Sequence, residues 1–228
     1  MVTDQARATA STPATPTIPA THPLRCSCGA LRGEVDVSSN VSRDVNRGIC
    51  YCRDCQAYAH FLGREKEILN EQGGTDIIQT APRRVSFTAG REHLACMRLT
   101  DEGMFRWYAG CCRTPIGNTL ATDRMSFVGL VHACLRSGPV DESFGPARMR
   151  ANGRSARGEP KPKDEKIFAG VARLLRMMLR ERISGGWRHS PFFSPDTHRP
   201  VAAPRVLSAR ELAELRAVVE AASRTAPR

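Results

Sequence analysis

Three cysteines fall within six residues, Cys50-Tyr-Cys52-Arg-Asp-Cys55. Thiolates are soft ligands that suit zinc, and three so close in sequence need little further ordering to grip one ion. A disulfide within the cluster would strand the third sulfur. Three protein ligands leave one position of a tetrahedral ion for water or substrate, the pattern of catalytic sites. A distant Cys or His completing the shell would make the same cluster a staple. The reactive centre expected here is therefore Cys50, Cys52 and Cys55. His60, five residues on, reads either as a proton shuttle or fourth ligand or as a histidine packed on a strand. Arg53 and Arg113 flank the cysteine segments and read either as partners for substrate carboxylates or as surface charge. Tyr51 and Trp107 line a pocket or belong to the core.

Two further cysteine pairs lie apart from this cluster, at Cys26-Ser-Cys28-Gly29 and at Cys111-Cys112. Alternate residues of an extended chain point the same way, so a C-x-C pair can turn both sulfurs to one ion. Two such pairs would make a closed four-sulfur site that clips distant segments together. Cys96 and Cys134 sit in apolar runs and read as buried free thiols. Nine cysteines is an odd number. With no export signal at the N-terminus, a reducing cytoplasm and metal binding fit them better than a disulfide framework.

The elements that must position these sulfurs are mostly strands. Leu31–Val37 alternates apolar and polar residues, and Val85–Phe87, Leu94–Leu99, Met104–Tyr108 and Phe127–Val131 are short β-type runs. Thr100-Asp101-Glu102-Gly103 reads as a hairpin turn. No long helix is expected between residues 24 and 140, so this part reads as a mostly antiparallel all-β domain. Residues 1–23, rich in Thr, Ala and Pro, read as a disordered lead-in.

Residues 141–228 read as a basic, partly helical extension. From residue 146 onward there are 18 Lys and Arg against 8 Asp and Glu; the preceding residues hold 16 against 15. The cysteine-bearing part is thus nearly neutral, which argues against a nucleic-acid reader at the metal region. Ile167, Val171, Leu174, Leu175 and Met178 share one helical face, which is expected to dock on the β domain with the arginines solvated. An anionic membrane surface or nucleic-acid phosphates are the other readings of that helix. Gly185-Gly186 ends it, and Ser208 to Glu211 is a capping box that starts a last helix over about residues 209–222. No stretch approaches the roughly 20 apolar residues of a membrane span, and nothing signals an oligomeric state.

The order of these motifs resembles the glutathione-dependent formaldehyde-activating enzymes, a family that includes centromere-protein-V-like proteins. The resemblance runs over roughly Leu24 to Val131 and rests on Cys26-Ser-Cys28-Gly29-Ala30-Leu31-Arg32-Gly33, on Cys50-Tyr-Cys52-Arg-Asp-Cys55, and more loosely on Tyr108-Ala-Gly-Cys111-Cys112-Arg-Thr114-Pro115. It implies a mainly β, β-tent-like (Mss4-like) fold of antiparallel sheets with two zinc ions, extended here by C-terminal helices. One zinc would be structural, held by Cys26, Cys28 and Cys112. The family's fourth sulfur comes three residues before the last of these, where Ala109 stands, and Cys111 is the sulfur available instead. The other zinc, on Cys50, Cys52 and Cys55, would be reactive. Family members usually carry Arg directly after the third cysteine and Gly shortly beyond; Gln56 and His60 stand in those places.

The resemblance implies a carbon–sulfur lyase type of activity on adducts of small aldehydes with a thiol such as glutathione. A metal already bound by three thiolates is a weak Lewis acid, so thiol exchange suits the site better than hydrolysis by hydroxide. The competing reading is a non-catalytic, zinc-stapled module that uses its basic C-terminal third to hold a partner or nucleic acid. A fourth protein ligand on the three-cysteine cluster would favour it.

Overall fold

The computed structural model describes residues 20–38 and 45–225. Two sheets make the frame. Strands β1 (Thr21–Arg25), β2 (Arg32–Asp36) and β5 (Val85–Ala89) form a small antiparallel sheet in the order β1-β2-β5. The large sheet runs β10-β3-β4-β9-β8-β7-β6-β11, from β3 (Asn46–Cys50), β4 (Thr75–Thr80), β6 (Leu94–Arg98), β7 (Phe105–Ala109), β8 (Pro115–Thr119), β9 (Val128–Val131), β10 (Met149–Ala151) and β11 (Pro204–Val206). Its six central strands are antiparallel, but β10 joins β3 and β11 joins β6 in parallel. The antiparallel expectation thus holds for the six central strands and is corrected at these two edges. Both edge strands come from the C-terminal third, which is woven into the sheet. Strand β1 begins at Thr21, inside the stretch read as a lead-in; residues 1–19 lie outside the described ones.

The two faces of the large sheet have different covers. One packs against the small sheet through Leu24, Leu31, Val35, Ile116 and Leu130, with Trp107 fully buried between them. Phe192 from the C-terminal third closes this core, its ring centroid 5.2 Å from that of Trp107. The other face carries helix α1 (Arg53–Leu62), followed by a short helix α2 (Glu65–Ile68), and the last helix of the chain. Helix α1 corrects the expectation that no long helix lies between residues 24 and 140. Its Ala57, Tyr58 and Leu62 are buried on one side, and Gly63 ends it with φ +63°, a left-handed cap that glycine adopts at little cost.

Three further helices follow: α3 (Val140–Phe144), α4 (Ile167–Ser184) and α5 (Ala209–Arg224). Helix α5 starts at the capping box read from the sequence, with Ser208 and Glu211 each capping the other. Its Leu212, Leu215 and Val219 pack on α1. Helix α4 docks as expected but on a rotated face. Gly170, Leu174, Met177 and Met178 turn inward, while Val171 and Leu175 are exposed. Phe168 and Ile183, 93% and 78% exposed, continue that outer stripe. The helix is apolar on two sides, so periodicity alone does not choose the side that packs. Among the described residues, no helix is long and apolar enough to cross a membrane.

Candidate metal centres

The first centre is built by two turns. Cys26 and Cys28 sit on the turn between β1 and β2, where Gly29 at φ +77° lets the chain reverse and its N–H donates to the Cys26 carbonyl. Cys111 and Cys112 sit on the turn between β7 and β8, closed by Arg113 N–H on the Ala109 carbonyl at 2.7 Å, with Arg113 itself left-handed at φ 60°. Ala109 is buried in β7 and takes no part; the tightness of this turn brings both adjacent sulfurs round to one side. Cys26 Sγ lies 3.5 Å from Cys28 Sγ and 3.8 Å from Cys111 Sγ, Cys28 and Cys111 are 3.4 Å apart, and Cys111 and Cys112 are 3.9 Å apart. A tetrahedral ion with metal–sulfur bonds of about 2.3 Å spaces its sulfurs by about 3.8 Å, so the four fit one metal.

Hydroxyls and a guanidinium hold the two turns together. Thr114 Oγ1 accepts from the Ser27 amide and lies 3.2 Å from Cys112 Sγ, and Arg64 donates to the Cys112 carbonyl at 2.6 Å and to Ser27 Oγ. Burial opposes ionisation of Cys112, but donation from Ser27 and Thr114 draws its thiol down to about 5. Hydrogen bonding thus favours Cys112 as the anionic sulfur of the four.

The second centre lies where β3 ends and α1 begins. Cys50 closes β3, Cys52 is the N-cap of α1 with its sulfur accepting from the Cys55 amide at 3.4 Å, and Cys55 lies in the first turn. The positive end of a helix favours anionic sulfur, which explains a cysteine in a capping position. All three sulfurs lie within 4.8 Å of one another, and no fourth His, Cys, Asp or Glu joins them among the described residues. Each thiol resists ionisation beside the others. Cys55 is pushed up to about 11, first by the proton it shares with Cys50, then by burial. A cation placed among them relieves that repulsion, so the donor set fits a metal here too.

The three cysteines line a cavity of about 450 Å³. Arg106 on β7, only 6% exposed, lines the same cavity near Cys55 and Cys52. Its guanidinium lies 5.3 Å from the centre of the Tyr58 ring and donates to Asn118 Oδ1 at 3.4 Å. Burial works against its charge, but Cys55, Cys52 and Asp54 outweigh burial and hold it protonated. The C-terminal third also reaches the site. Ala151 of β10 pairs with Cys50, and Asn152, left-handed at φ 62°, turns its amide to Cys50 Sγ at 3.6 Å.

Other residues read as functional lie elsewhere. His60 points away from the sulfurs: its Nε2 accepts from Arg157 at 3.1 Å, and burial, then the nearby Arg157, lower its pKa. It stands on a helix, where five residues from Cys55 carry it round to a different side. Arg53 is exposed and paired with Glu220 of α5 at 3.3 Å, and Arg113 lies over the Phe61 ring at 5.5 Å; neither lines the cavity. Tyr51 and Trp107 are core residues, and Cys96 and Cys134 are buried free thiols. Arg106 and Asn152 escape a reading by motif. The available signal for Arg106 was a charge inside the apolar run Met104-Phe-Arg-Trp-Tyr108, in a strand buried on both faces. For Asn152 there was none, because a three-residue edge strand delivers it.

Fold and site together define a mainly β protein, with C-terminal helices, that carries two cysteine clusters able to hold metal ions. The chain belongs to a family of unknown function (DUF6151), whose model matches residues 18–204. No curated protein matches it. A crystal structure of a Rhodobacter sphaeroides protein aligns over 57% of this chain and 99% of its own, at 16% identity and a TM-score of 0.38.

Proposed function

We propose that this chain is a zinc protein of β-tent-like (Mss4-like) fold, with one closed and one open site. The open site makes and breaks carbon–sulfur bonds in adducts of a small thiol with a small aldehyde. One observation carries this reading: the four-sulfur cluster sits on two turns, whereas the three-sulfur cluster faces a cavity of about 450 Å³ with no fourth protein ligand among the described residues. An all-sulfur donor set favours zinc over the hard divalent ions. The resemblance of the cysteine motifs to formaldehyde-activating enzymes supports the reaction class.

A zinc ion held by Cys50, Cys52 and Cys55 would lower the pKa of an incoming thiol and keep it as the thiolate, the nucleophilic form. The protein's own groups supply the rest. Arg106 and the N-terminus of α1 offset the negative charge of the sulfurs. Asn118 and Gln79 line the cavity with their oxygens turned to Arg106 and Asn46, which leaves their amide N–H₂ groups for a substrate oxygen. Addition of the thiol forms one C–S bond and opens the carbonyl π bond, and the thiol proton ends on the new hydroxyl oxygen. Release reverses these changes, and neither direction needs an oxidant or reductant.

Metal analysis and exchange spectroscopy test this reading. The purified chain binds two zinc ions, and Cys52→Ser binds one with its circular dichroism unchanged. Wild type speeds exchange between a thiol and its formaldehyde hemithioacetal, and Cys52→Ser does not. A chain that binds no second ion, or equal exchange rates in the two proteins, refutes it.

A further inference from the structure

The inference rests on the open-site reading above and concerns what the site accepts: we propose that its thiol has an apolar body and no carboxylate, so that glutathione and other acidic thiols are disfavoured. The cavity is of small-molecule size. Its walls are set by Ile77, Leu99, Met104, Phe127 and Met149. Helix α4 backs this apolar side. Leu174, Met177 and Met178 pack with Phe127 and Met104, and Gly170 lies so close to Met149 that a Cβ there would collide with its sulfur. The segment that reads in sequence as a basic appendage thus shapes the apolar wall of the pocket.

Charge around the cavity points the same way. Asp54 and Glu102 line it, are exposed, and have no ion-pair partner among the described residues. Arg106 is the cation on its wall, and that charge is set against the sulfurs and, at longer range, Asp54. Three thiolates on a divalent ion carry a formal charge of −1, so with Asp54, Glu102 and Arg106 the cavity holds about −2. The two arginines that could have met carboxylates, Arg53 and Arg113, are outside it and engaged with Glu220 and Phe61. An acidic thiol would bring its carboxylates past Asp54 and Glu102 to a wall that offers them no free cation. A neutral or ammonium-bearing thiol meets no such barrier.

The test uses the full chain loaded with Co²⁺ in place of zinc, and follows the thiolate-to-cobalt absorption on titration with 1-propanethiol, 1-pentanethiol, cysteamine, 3-mercaptopropionate and glutathione. Affinity should rise roughly fourfold per methylene from propanethiol to pentanethiol. The two acidic thiols should bind at least about tenfold more weakly than propanethiol, with cysteamine not disfavoured. Glu102→Lys, on an exposed turn, should move 3-mercaptopropionate several-fold toward propanethiol. Acidic thiols that bind wild type as tightly as propanethiol overturn this inference and leave the open site standing. A spectrum that no thiol changes overturns the open site itself, and the inference with it.

Discussion

Arg106 offers the sharpest test of the three-sulfur centre, because its removal should move the metal-loaded and metal-free proteins in opposite directions. It is 6% exposed, has no carboxylate ion pair among the described residues, and stands beside Cys55, with Cys52, Asp54, Asn118 and the Tyr58 ring also near. Against a site of formal charge −1 at roughly 5 Å, with an effective dielectric constant of about 20, a guanidinium is worth about 3 kcal/mol. Arg106→Met keeps most of the side-chain volume and removes the charge. Metal affinity at the three-sulfur centre should then fall roughly 100-fold. In the stripped protein the thiols are protonated and the exposed Asp54 is the counter-charge left to the buried cation, so the same substitution should be neutral or stabilising. Competition with a chromophoric chelator resolves the two metal affinities, and thermal melts of loaded and stripped protein supply the second measurement. An unchanged affinity at this centre, or an equal loss at both centres, would refute the reasoning. So would a stripped variant that melts well below stripped wild type.

The four-sulfur centre is testable through stability. Cys28 and Cys111 lie 83 residues apart, and by the loop-entropy measure for cross-links a clip of that span contributes up to about 4.5 kcal/mol. Cys28→Ser should therefore melt roughly 10 °C lower, and a chelator that destabilises wild type should do little more to it; an unchanged melting temperature counts against a structural metal there. His22 sets a pH dependence of its own. It is buried with its Nε2–H donating to the Leu135 carbonyl at 2.8 Å and its Nδ1 accepting from Ser143 Oγ at 2.7 Å, and burial lowers its pKa below 6.5. The unfolded chain then binds the proton more readily, so stability is full above pH 6.5 and falls as the pH drops from there toward the lowered value, by at most about 1.4 kcal/mol per pH unit. His22→Gln should flatten that part of the urea-denaturation profile between pH 7 and 5; parallel profiles would show that His22 carries no such linkage.

What could be read from the sequence follows from how local its signal is. Leu94–Leu99 and Met104–Tyr108 flank a Gly-containing turn, and they form the hairpin of β6 and β7, with Gly103 N–H on the Thr100 carbonyl. The convergence of the cysteine pairs was legible from their spacing, but the sulfurs meet on turns and not on the extended chain that the spacing suggested. Helix α1 escaped because its cap is Cys52 where Ser, Thr, Asp or Asn is the usual signal, and because the same residues carry metal-ligand spacing. Strands β10 and β11 escaped because three residues have no period to detect and their pairing is parallel and long-range. The cavity was not readable for the same reason. Its wall joins β4, β7, β9 and β10, and only the register between them puts Ile77, Arg106, Gly129 and Met149 around one space.

The joining of distant segments also gives Gln56 and His60, just past the third cysteine, their partners. Gln56 donates to the carbonyls of Tyr51 and Ser155, both at 2.9 Å, and its oxygen accepts from Arg157 Nε at 3.0 Å. The same guanidinium reaches His60. An arginine in place of Gln56 would set a second cation against Arg157 where 0% of the side chain meets solvent, and a glycine in place of His60 would leave Arg157 without that acceptor. The two residues thus act together: they hold the loop of Ser155 and Arg157 onto α1. The strand just before that loop is β10, which brings Met149 to the cavity wall and leads into Asn152 at the Cys50 sulfur. Gln56 and His60 thus help to anchor the segment that carries this wall of the cavity, and the three sulfurs stay grouped beside it.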